Sequence, residues 1–394
     1  AFRDSGLELD GLVTSALWSD IDSDGWIDLA ITEEWGPLRI LLNEQGKLVD
    51  ATEKAGIDQL TGWWNGLDGA DFDGDGDIDF VATNFGLNTK YHASVEHPTL
   101  LYYGDFENTG QKNIVEAEFE DETLYPVRGR SCSSNAMPHL KKTYTSFKQF
   151  AISELSDIYS PERLDDSLRL AATTLESGVF INESAPGNTV KFSFHPLPRI
   201  AQIAPGFGVV ATDVDRDGNP DIYLAQNFYS PQVETGRMAG GVSQLLLGNG
   251  DGSFEPIPAD QSGLLVGGDA ASLTRVDLDS DGLDDFVVGI NNAAPKCFLN
   301  RVEGATAPLR IDLVGGAGNP KGIGARVRVI PDQGEPAHSE VRAGGGYLSQ
   351  SPSTLSFFLP GAKQAKEIHI RWPDGSESTF GPVAASGSIM LSKD

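Results

Sequence analysis

The sequence has 394 residues, enough for two or three ordinary domains or for one large β domain and a smaller one. Its net charge of −28 argues against binding to nucleic acid or to an anionic membrane surface. No apolar run approaches the roughly 18 residues of a membrane-spanning helix. Two cysteines, Cys132 and Cys297, exclude a disulfide framework and leave one bridge between them open.

The chain alternates strand-like runs with five acidic loops, of which the clearest is DFDGDGDID at 71–79. It places Asp at positions 1, 3, 5 and 9 and Gly at position 6. Carboxylates at alternate positions of a tight turn repel one another unless they share a hard cation, and Ca²⁺ takes about six to eight oxygen ligands. The glycine permits the positive φ of a sharp turn. In chain order the loops are loop 1 (20–28), loop 2 (71–79), loop 3 (105–113), loop 4 (213–221) and loop 5 (277–285).

These loops are not EF-hands, because position 12 is not glutamate and β-strand patterns follow each loop. In loops 1, 2, 4 and 5 we predict calcium ligation by the side chains at positions 1, 3, 5 and 9 and by the carbonyl at position 7. The candidate ligands are Asp20, Asp22, Asp24, Trp26, Asp28, Asp71, Asp73, Asp75, Asp77, Asp79, Asp213, Asp215, Asp217, Asn219, Asp221, Asp277, Asp279, Asp281, Leu283 and Asp285. Loop 3 is a weaker candidate, with Asp105, Glu107, Thr109 and Asn113. We therefore expect four calcium ions and leave a fifth open.

The first aspartates of successive loops lie 51, 34, 108 and 64 residues apart. Repeats built from short strands at such spacings predict an all-β propeller of five to seven blades. The longest gap favours an insertion, and the apolar residues Tyr144, Phe147, Phe150, Leu155 and Ile158 recur at helical spacing. We therefore predict a short helical insertion at about 138–170.

The two ends of the predicted propeller differ from its other parts. The last blade ends with KCFLN at 296–300 and lacks an outer strand, and we expect the N-terminal AFRDSGL to supply it and close the ring. The chain starts without a methionine or a signal-like segment, so we expect a mature product or a piece of a longer protein. We assign residues 1–304 to the propeller and 305–394 to a small β-sandwich-like domain with alternating strands.

One stretch of this acidic chain, 123–153, contains neither Asp nor Glu and is rich in cations. Its basic residues could bind a carboxylate or a sulfate group, or they could pair with neighbouring acidic loops. The candidate ligand-binding residues are Arg128, Arg130, His139, Lys141 and Lys142. The aromatic segments 63–65 and 84–88 could line a sugar-binding face or fill the gaps between blades.

The acidic loops resemble the FG-GAP/VCBS repeats, a family that includes the integrin α-subunit propeller. The segments GNPKGIGARVRV (318–329), GGGYLSQ (344–350) and IHIRWPDGS (368–376) resemble the ASPIC/UnbV domain. Together they resemble the cartilage-acidic-protein-like family of secreted and surface proteins. The resemblance implies calcium binding and interactions outside the cell.

Calcium loops of this kind suit compartments with millimolar free calcium, so we expect an extracellular, cell-surface or periplasmic protein. We predict a non-catalytic binding or adhesion module in which calcium is structural and the partner is an extracellular protein or a glycan. The alternative is a lyase or another enzyme acting on a carbohydrate or small metabolite in the central channel. Such an enzyme would need a polar pocket with a perturbed acid or base at the axis. The partner, the oligomeric state and the blade number stay open.

Overall fold

The computed structural model describes residues 9, 11–184, 190–232, 235–301 and 307–393, and its architecture is all-β. Five of the described sheets carry one of the acidic loops between two adjacent strands. Four of them follow a common plan and are called the loop-bearing sheets, and the fifth, with loop 3, lies in an insertion. None of the described sheets is closed, so the ring of five to seven blades stays a prediction. The N-terminal segment predicted to close the ring lies outside the described residues. Within the described part, no helix is long and apolar enough to cross a membrane.

The four loop-bearing sheets repeat one plan. Antiparallel strands pair in chain order, and the acidic loop connects the first strand to the second. The first sheet contains β1 (Leu12–Ser19), β2 (Asp28–Pro37), β3 (Arg39–Glu44) and β4 (Lys47–Asp50), with β5 (Thr61–Trp63) paired to β2. The second contains β6 (Leu67–Ala70), β7 (Asp79–Ala82), β12 (Gly178–Asn182) and β13 (Phe192–Pro196). The third contains β14 (Gly206–Thr212), β15 (Asp221–Gln226), β16 (Gln244–Gly248) and β17 (Phe254–Ile257). The fourth contains β18 (Ala270–Val276), β19 (Asp285–Ile290) and β20 (Lys296–Phe298).

The sheets pack face to face in chain order, because their central strands are apolar on both faces. All four residues of β7 and all five of β12 are buried, as expected for strands covered on two sides. The first strands β1, β6, β14 and β18 lie side by side in this order. The loops that follow them therefore share one end of the assembly.

A single insertion separates β7 from β12 and is larger than the predicted helical segment. It has its own sheet, ordered β10–β9–β8–β11, from β8 (Thr99–Gly104), β9 (Asn113–Glu120), β10 (Thr123–Pro126) and β11 (Leu168–Ala172). Its helices are α1 (Arg130–Ala136), α2 (Leu140–Thr143), α3 (Phe147–Ala151), α4 (Leu155–Tyr159) and α5 (Pro161–Asp165). These helices lie in the region where the sequence predicts a helical insertion, but they begin before residue 138. Loop 3 belongs to this insertion and not to the series of loop-bearing sheets.

Two further short helices lie among the loop-bearing sheets: a 3-10 helix at Arg199–Gln202 and α6 at Ala259–Ser262. The C-terminal part contains two sheets around one apolar core. The smaller sheet contains β21 (Leu309–Val314), β25 (Leu355–Phe357) and β29 (Gly387–Ser392). The larger contains β22 (Arg326–Pro331), β23 (Ala337–Glu340), β26 (Gln364–Arg371), β27 (Glu377–Phe380) and β28 (Val383–Ala384).

Alternation along β22 explains how the larger C-terminal sheet is placed. Val327 and Val329 point into the core with Trp372, whereas Arg326 and Arg328 lie on the opposite, polar face. β24 (Ala343–Gly344) leaves this domain and pairs with β1, through Leu17 opposite Gly344. The polar face of the C-terminal domain therefore lies against the loop end of the four sheets.

The residues around β24 run between the first strands of all four sheets. The Gly345 amide donates to Ala16 O at 2.8 Å, and Gly346 pairs with Leu67. Tyr347 contacts the ring of Phe207 on β14, and Ser349 Oγ donates to Leu273 O on β18 at 2.8 Å. This stretch, residues 342–351, is the central segment.

Candidate metal centres

Four groups of carboxylates converge at the loop end. In loops 1, 2, 4 and 5, one oxygen from each of positions 1, 3 and 9 lies within 4.8 Å of the others. The groups are Asp20, Asp22 and Asp28; Asp71, Asp73 and Asp79; Asp213, Asp215 and Asp221; and Asp277, Asp279 and Asp285. Three of the four side-chain positions predicted as ligands are thus brought together in each of these loops.

The loop backbone has two left-handed positions. Glycine at position 6 has a φ between 90° and 101° in these four loops, and its amide donates to the carboxylate at position 1. Position 4 is also left-handed, although it is Ser23, Gly74, Arg216 or Ser280. Sequence reasoning identified position 6 but missed position 4, because the residue types there share no signal.

The aspartate at position 9 connects the loop to the sheet. Asp79 is fully buried, and its two oxygens accept from the amides of Phe72 and Asn182, both at 2.7 Å. Asp28 accepts in the same way from Ile21 at 2.8 Å and Asn43 at 2.7 Å. In each pair, the first amide belongs to the loop, and the second, from Asn182 or Asn43, belongs to the third strand of the sheet. Position 9 therefore joins the loop, the second strand and the third strand.

Burial makes these carboxylates costly to ionise without a cation. It raises the pKa of Asp79 and of Asp213 from 3.8 to about 8. It raises the pKa of Asp28, Asp71 and Asp221 to about 7. A bound divalent cation would supply the missing counter-charge.

Positions 5 and 7 make a different contact. The amide at position 7 donates to the carboxylate at position 5, as from Trp26 to Asp24 at 2.7 Å and from Leu283 to Asp281 at 2.9 Å. The same contact joins Asp77 to Asp75 and Asn219 to Asp217. Ligation by position 5 and by the position 7 carbonyl stays a prediction.

The geometry fits a hard cation. Asp277 Oδ2 accepts from the Gly282 amide, whereas its Oδ1 is buried and has no hydrogen-bond donor. Such an oxygen is costly unless something positive reaches it. The donors are all carboxylate oxygens, which suit Ca²⁺ or Mg²⁺ better than a softer metal.

Loop 3 has the turn but not the group of three converging carboxylates. Asp105 accepts from the amides of Thr109 and Gly110, and the second contact matches the one between positions 6 and 1 in the other loops. Glu107 pairs instead with His139 Nδ1 at 2.7 Å, and position 9 is the uncharged Asn113. The weaker candidate therefore lacks the three-carboxylate group that the other four loops share.

Most of the basic candidates near this loop have partners within the protein. Arg128 pairs with Glu116 at 2.8 Å, and Arg130 donates to Tyr144 O at 2.6 Å. The amine of Lys141 lies 3.3 Å from Asn135 Oδ1, and Lys142 is exposed on α2. Of these contacts, only the one from Arg128 is the pairing with an acidic group that the sequence left open, and ligand binding by this segment stays a prediction.

The other sequence candidates have structural surroundings. Trp64 is fully buried between the first two sheets, and Trp63 packs edge-on against Trp35, Phe85 and Tyr91. Both tryptophans therefore fill gaps between strands. Cys132 and Cys297 do not form a disulfide with each other.

Sequence reasoning missed the C-terminal side chains that reach the loops. Arg371 Nη1 donates to Ser23 O at 2.8 Å, and Glu340 accepts from the Asp20 amide at 2.9 Å. Arg326 also contacts loop 1, and Arg310 pairs with Asp277 of loop 5. The segments GARVRV and IHIRWPDGS were recognised as motifs, but a motif gives no indication of what its arginines contact.

Comparison with known families follows the same division of the chain. Residues 20–82 match the FG-GAP-like repeat, and residues 315–394 match the family described as ASPIC and UnbV. The chain carries an FG-GAP-like repeat and a C-terminal ASPIC and UnbV domain. Both parts of the resemblance drawn from the loops and motifs are thereby confirmed.

Comparisons with individual proteins add little. None of the curated proteins compared with the chain matches it. Among solved structures, the Bacillus licheniformis rhamnogalacturonan lyase PL11 aligns at 10% identity over 98% of this chain and 74% of that chain, with a TM-score of 0.24. A TM-score this low carries no argument about fold or activity.

Proposed function

We propose that this protein is a calcium-binding, β-propeller-like binding module in which the ions are structural. The observation that carries the proposal is the recurrence of one three-carboxylate group in four loops at the same end of successive sheets. FG-GAP repeat proteins are typically extracellular or surface-associated, which agrees with use of millimolar calcium. The partner that we infer is an extracellular protein or a glycan.

Each ion would stabilise one sheet by holding its loop. Asp79 already connects loop 2 to the third strand of its sheet, so a cation bound to Asp71, Asp73 and Asp79 would fix three chain segments at once. Because the unfolded chain has no such site, binding stabilises the folded state. The gain is about 2.7 kcal/mol per site at a calcium concentration 100-fold above the dissociation constant.

The four sheets support a propeller of four loop-bearing blades in residues 1–304, followed by the C-terminal domain in 305–394. Propeller enzymes use a channel along the axis, but here the central segment lies between the first strands. The Gly345 amide bonds to β1, and Ser349 bonds to β18. We therefore favour a binding role over catalysis in the channel, with the partner on an outer surface.

Thermal unfolding with and without calcium tests the structural role. We expect a large fall in the melting temperature when EDTA replaces calcium and full recovery when calcium is restored. The matched control is loop 3, where Asp105→Asn should leave the calcium effect unchanged, whereas Asp73→Asn in loop 2 should reduce it. An identical melting temperature in EDTA and calcium would refute the proposal.

A further inference from the structure

The C-terminal domain forms part of the surroundings of loop 1. Glu340 is buried and accepts from the Asp20 amide at 2.9 Å. Arg326 Nη1 donates to Ser23 Oγ at 2.6 Å, and Arg371 Nη1 donates to Ser23 O at 2.8 Å. Arg371 Nη1 also lies 3.4 Å from Asp20 Oδ2. Three side chains from the larger C-terminal sheet thus hold both position 1 and position 4 of the loop.

Loop 5 is held from the smaller C-terminal sheet. Arg310 of β21 donates to Asp277 Oδ2, the oxygen that also accepts from the Gly282 amide. This leaves Asp277 Oδ1, the buried oxygen without a donor, free to meet a cation. The guanidinium therefore fixes the orientation of a carboxylate at a candidate metal ligand.

Loops 2 and 4 have different surroundings. They line a cavity of about 590 Å³ between the loop end and the C-terminal domain, which exposes Asp71, Asp73 and Asp213. Arg326 does reach loop 2, but only at the side chain of Asp77, 3.4 Å away, which is not one of the three converging carboxylates. Among the described residues, no C-terminal arginine forms an ion pair with Asp71 or Asp213, the position 1 aspartates of loops 2 and 4. The four candidate sites therefore fall into two classes.

We propose that docking of the C-terminal domain and calcium binding at loops 1 and 5 are thermodynamically coupled, whereas loops 2 and 4 bind calcium independently of it. This inference rests on the proposed calcium function. Docking strengthens binding because it holds the loop in its ligating shape before the ion arrives. By reciprocity, calcium at loops 1 and 5 stabilises the docked domain.

Two effects oppose each other in this coupling. The arginines bring positive charge toward a cation site, which disfavours calcium, but Glu340 offsets one of the two charges at loop 1 and the loop itself has four aspartates. The arginines also favour calcium, because they hold loop 1 in its ligating shape. Ser23, which both arginines contact, has a φ of 62°, a conformation that few non-glycine residues adopt without such support. Outer partners of metal ligands typically change affinity by roughly 10- to 100-fold, and we expect positioning to prevail.

Two glycines supply a variant that weakens docking and its matched control, and neither change alters a metal ligand or a charged residue. A Cβ at Gly344 would lie 2.1 Å from Ala16 O, so Gly344→Ala must displace the central segment. Gly334 has a φ of 93° against 92° at Gly344, but a Cβ there meets nothing within 4 Å. Gly334→Ala therefore imposes the same backbone strain and leaves the docking contact intact.

The experiment is a titration of metal-free protein with Ca²⁺ and Tb³⁺, combined with hydrogen exchange at the amides of Gly345 and Gly346. Gly344→Ala should accelerate exchange and weaken two of the four cation equivalents by roughly 10- to 100-fold, with the other two unchanged. Gly334→Ala should match the wild type in both measurements. Accelerated exchange with four unchanged affinities would overturn the coupling.

A second pair of variants tests the contact directly if the Gly344→Ala protein stays docked or does not fold. Arg371→Met removes the bond to Ser23 O, whereas Arg328→Met changes an exposed arginine on the same polar face. Arg371→Met should weaken one equivalent, Arg371→Lys should restore part of it, and Arg328→Met should have no effect. Unchanged affinity in Arg371→Met would refute the coupling, while a wild-type protein that binds no cation would refute the proposed function itself.

Discussion

At the scale of single residues, the aspartate at position 9 has more than one role. The sequence predicts it as a calcium ligand, which requires only its place in the repeat. The structure adds that Asp79 is buried and accepts amide hydrogens from Phe72 and Asn182. The second of these contacts joins residues 103 positions apart, so no local pattern could have predicted it.

Replacing this aspartate should cost more than replacing another predicted ligand of the same loop. Asp79→Asn leaves one of two buried amides without an acceptor, which costs about 1–3 kcal/mol beyond the loss of the ligand. Asp75→Asn removes the same charge from an exposed position and is the matched control. Urea unfolding in saturating calcium measures the difference. Equal losses of stability would show that position 9 acts only as a ligand.

The buried carboxylates also predict how the metal-free protein responds to pH. Burial raises the pKa of Asp79 and Asp213 to about 8, whereas an unfolded aspartate has its ordinary value near 3.8. The folded state therefore holds protons that the unfolded state has released, and stability falls as pH rises from about 4 to 8.

Calcium should reverse this dependence, because it binds only the ionised carboxylates. Melting temperatures measured at several pH values between 5 and 8 should fall with rising pH in EDTA. In calcium, the stabilisation relative to EDTA should grow over the same range. A melting temperature that rises with pH in EDTA would contradict this prediction.

At the scale of elements, local patterns predicted the loops well and the insertion only in part. The acidic frame is complete within nine residues, so spacing alone identified four loops that the structure brings to one end. Helical periodicity likewise indicated the helices of the insertion. The insertion's sheet was missed, because its strands β8 and β9 flank loop 3 just as the first two strands of each loop-bearing sheet flank the other loops. Only the pairing of β7 with β12 reveals that the second loop-bearing sheet resumes after the insertion.

The insertion has its own apolar core, which leads to a prediction about its helices. Phe150 is 4% exposed and packs with Tyr144 and Leu140, whereas Phe147 on the same helix is 65% exposed. Phe150→Ala should destabilise the insertion by about 3–5 kcal/mol, and Phe147→Ala should change stability by less than about 0.5 kcal/mol. Protease susceptibility of residues 130–165 and thermal unfolding measure both variants. Similar behaviour of the two would show that this core is not formed.

At the scale of the whole molecule, charge is divided unequally between the two parts. Residues 307–394 contain nine Lys and Arg against eight Asp and Glu, a net charge of +1, so the preceding 306 residues carry a net charge of −29. The C-terminal domain places Arg326 and Arg371 against this acidic end. The sequence predicted two parts but not their docking, because Ala16 and Gly345 meet across more than 300 residues.

The central segment also bears on the central channel that the sequence-based enzyme alternative requires. The enzyme alternative drawn from the sequence needs an open channel along the axis of the predicted propeller. In the structure, three consecutive glycines bring the chain into contact with β1 and β6. Gly344, Gly345 and Gly346 all have positive φ, and a side chain at the first would collide with Ala16 O. The motif GGGYLSQ thus has a structural explanation in the close approach of two backbones.

The central claim is that four loops each hold one calcium ion, and the most direct test is the number of calcium ions retained per chain. Equilibrium dialysis at millimolar calcium, followed by elemental analysis of the protein solution and of the dialysate, gives this number. We predict four ions in the wild type and three in each of Asp22→Asn, Asp73→Asn, Asp215→Asn and Asp279→Asn. A wild-type protein that retains no calcium, or variants that retain as much as the wild type, would contradict the account.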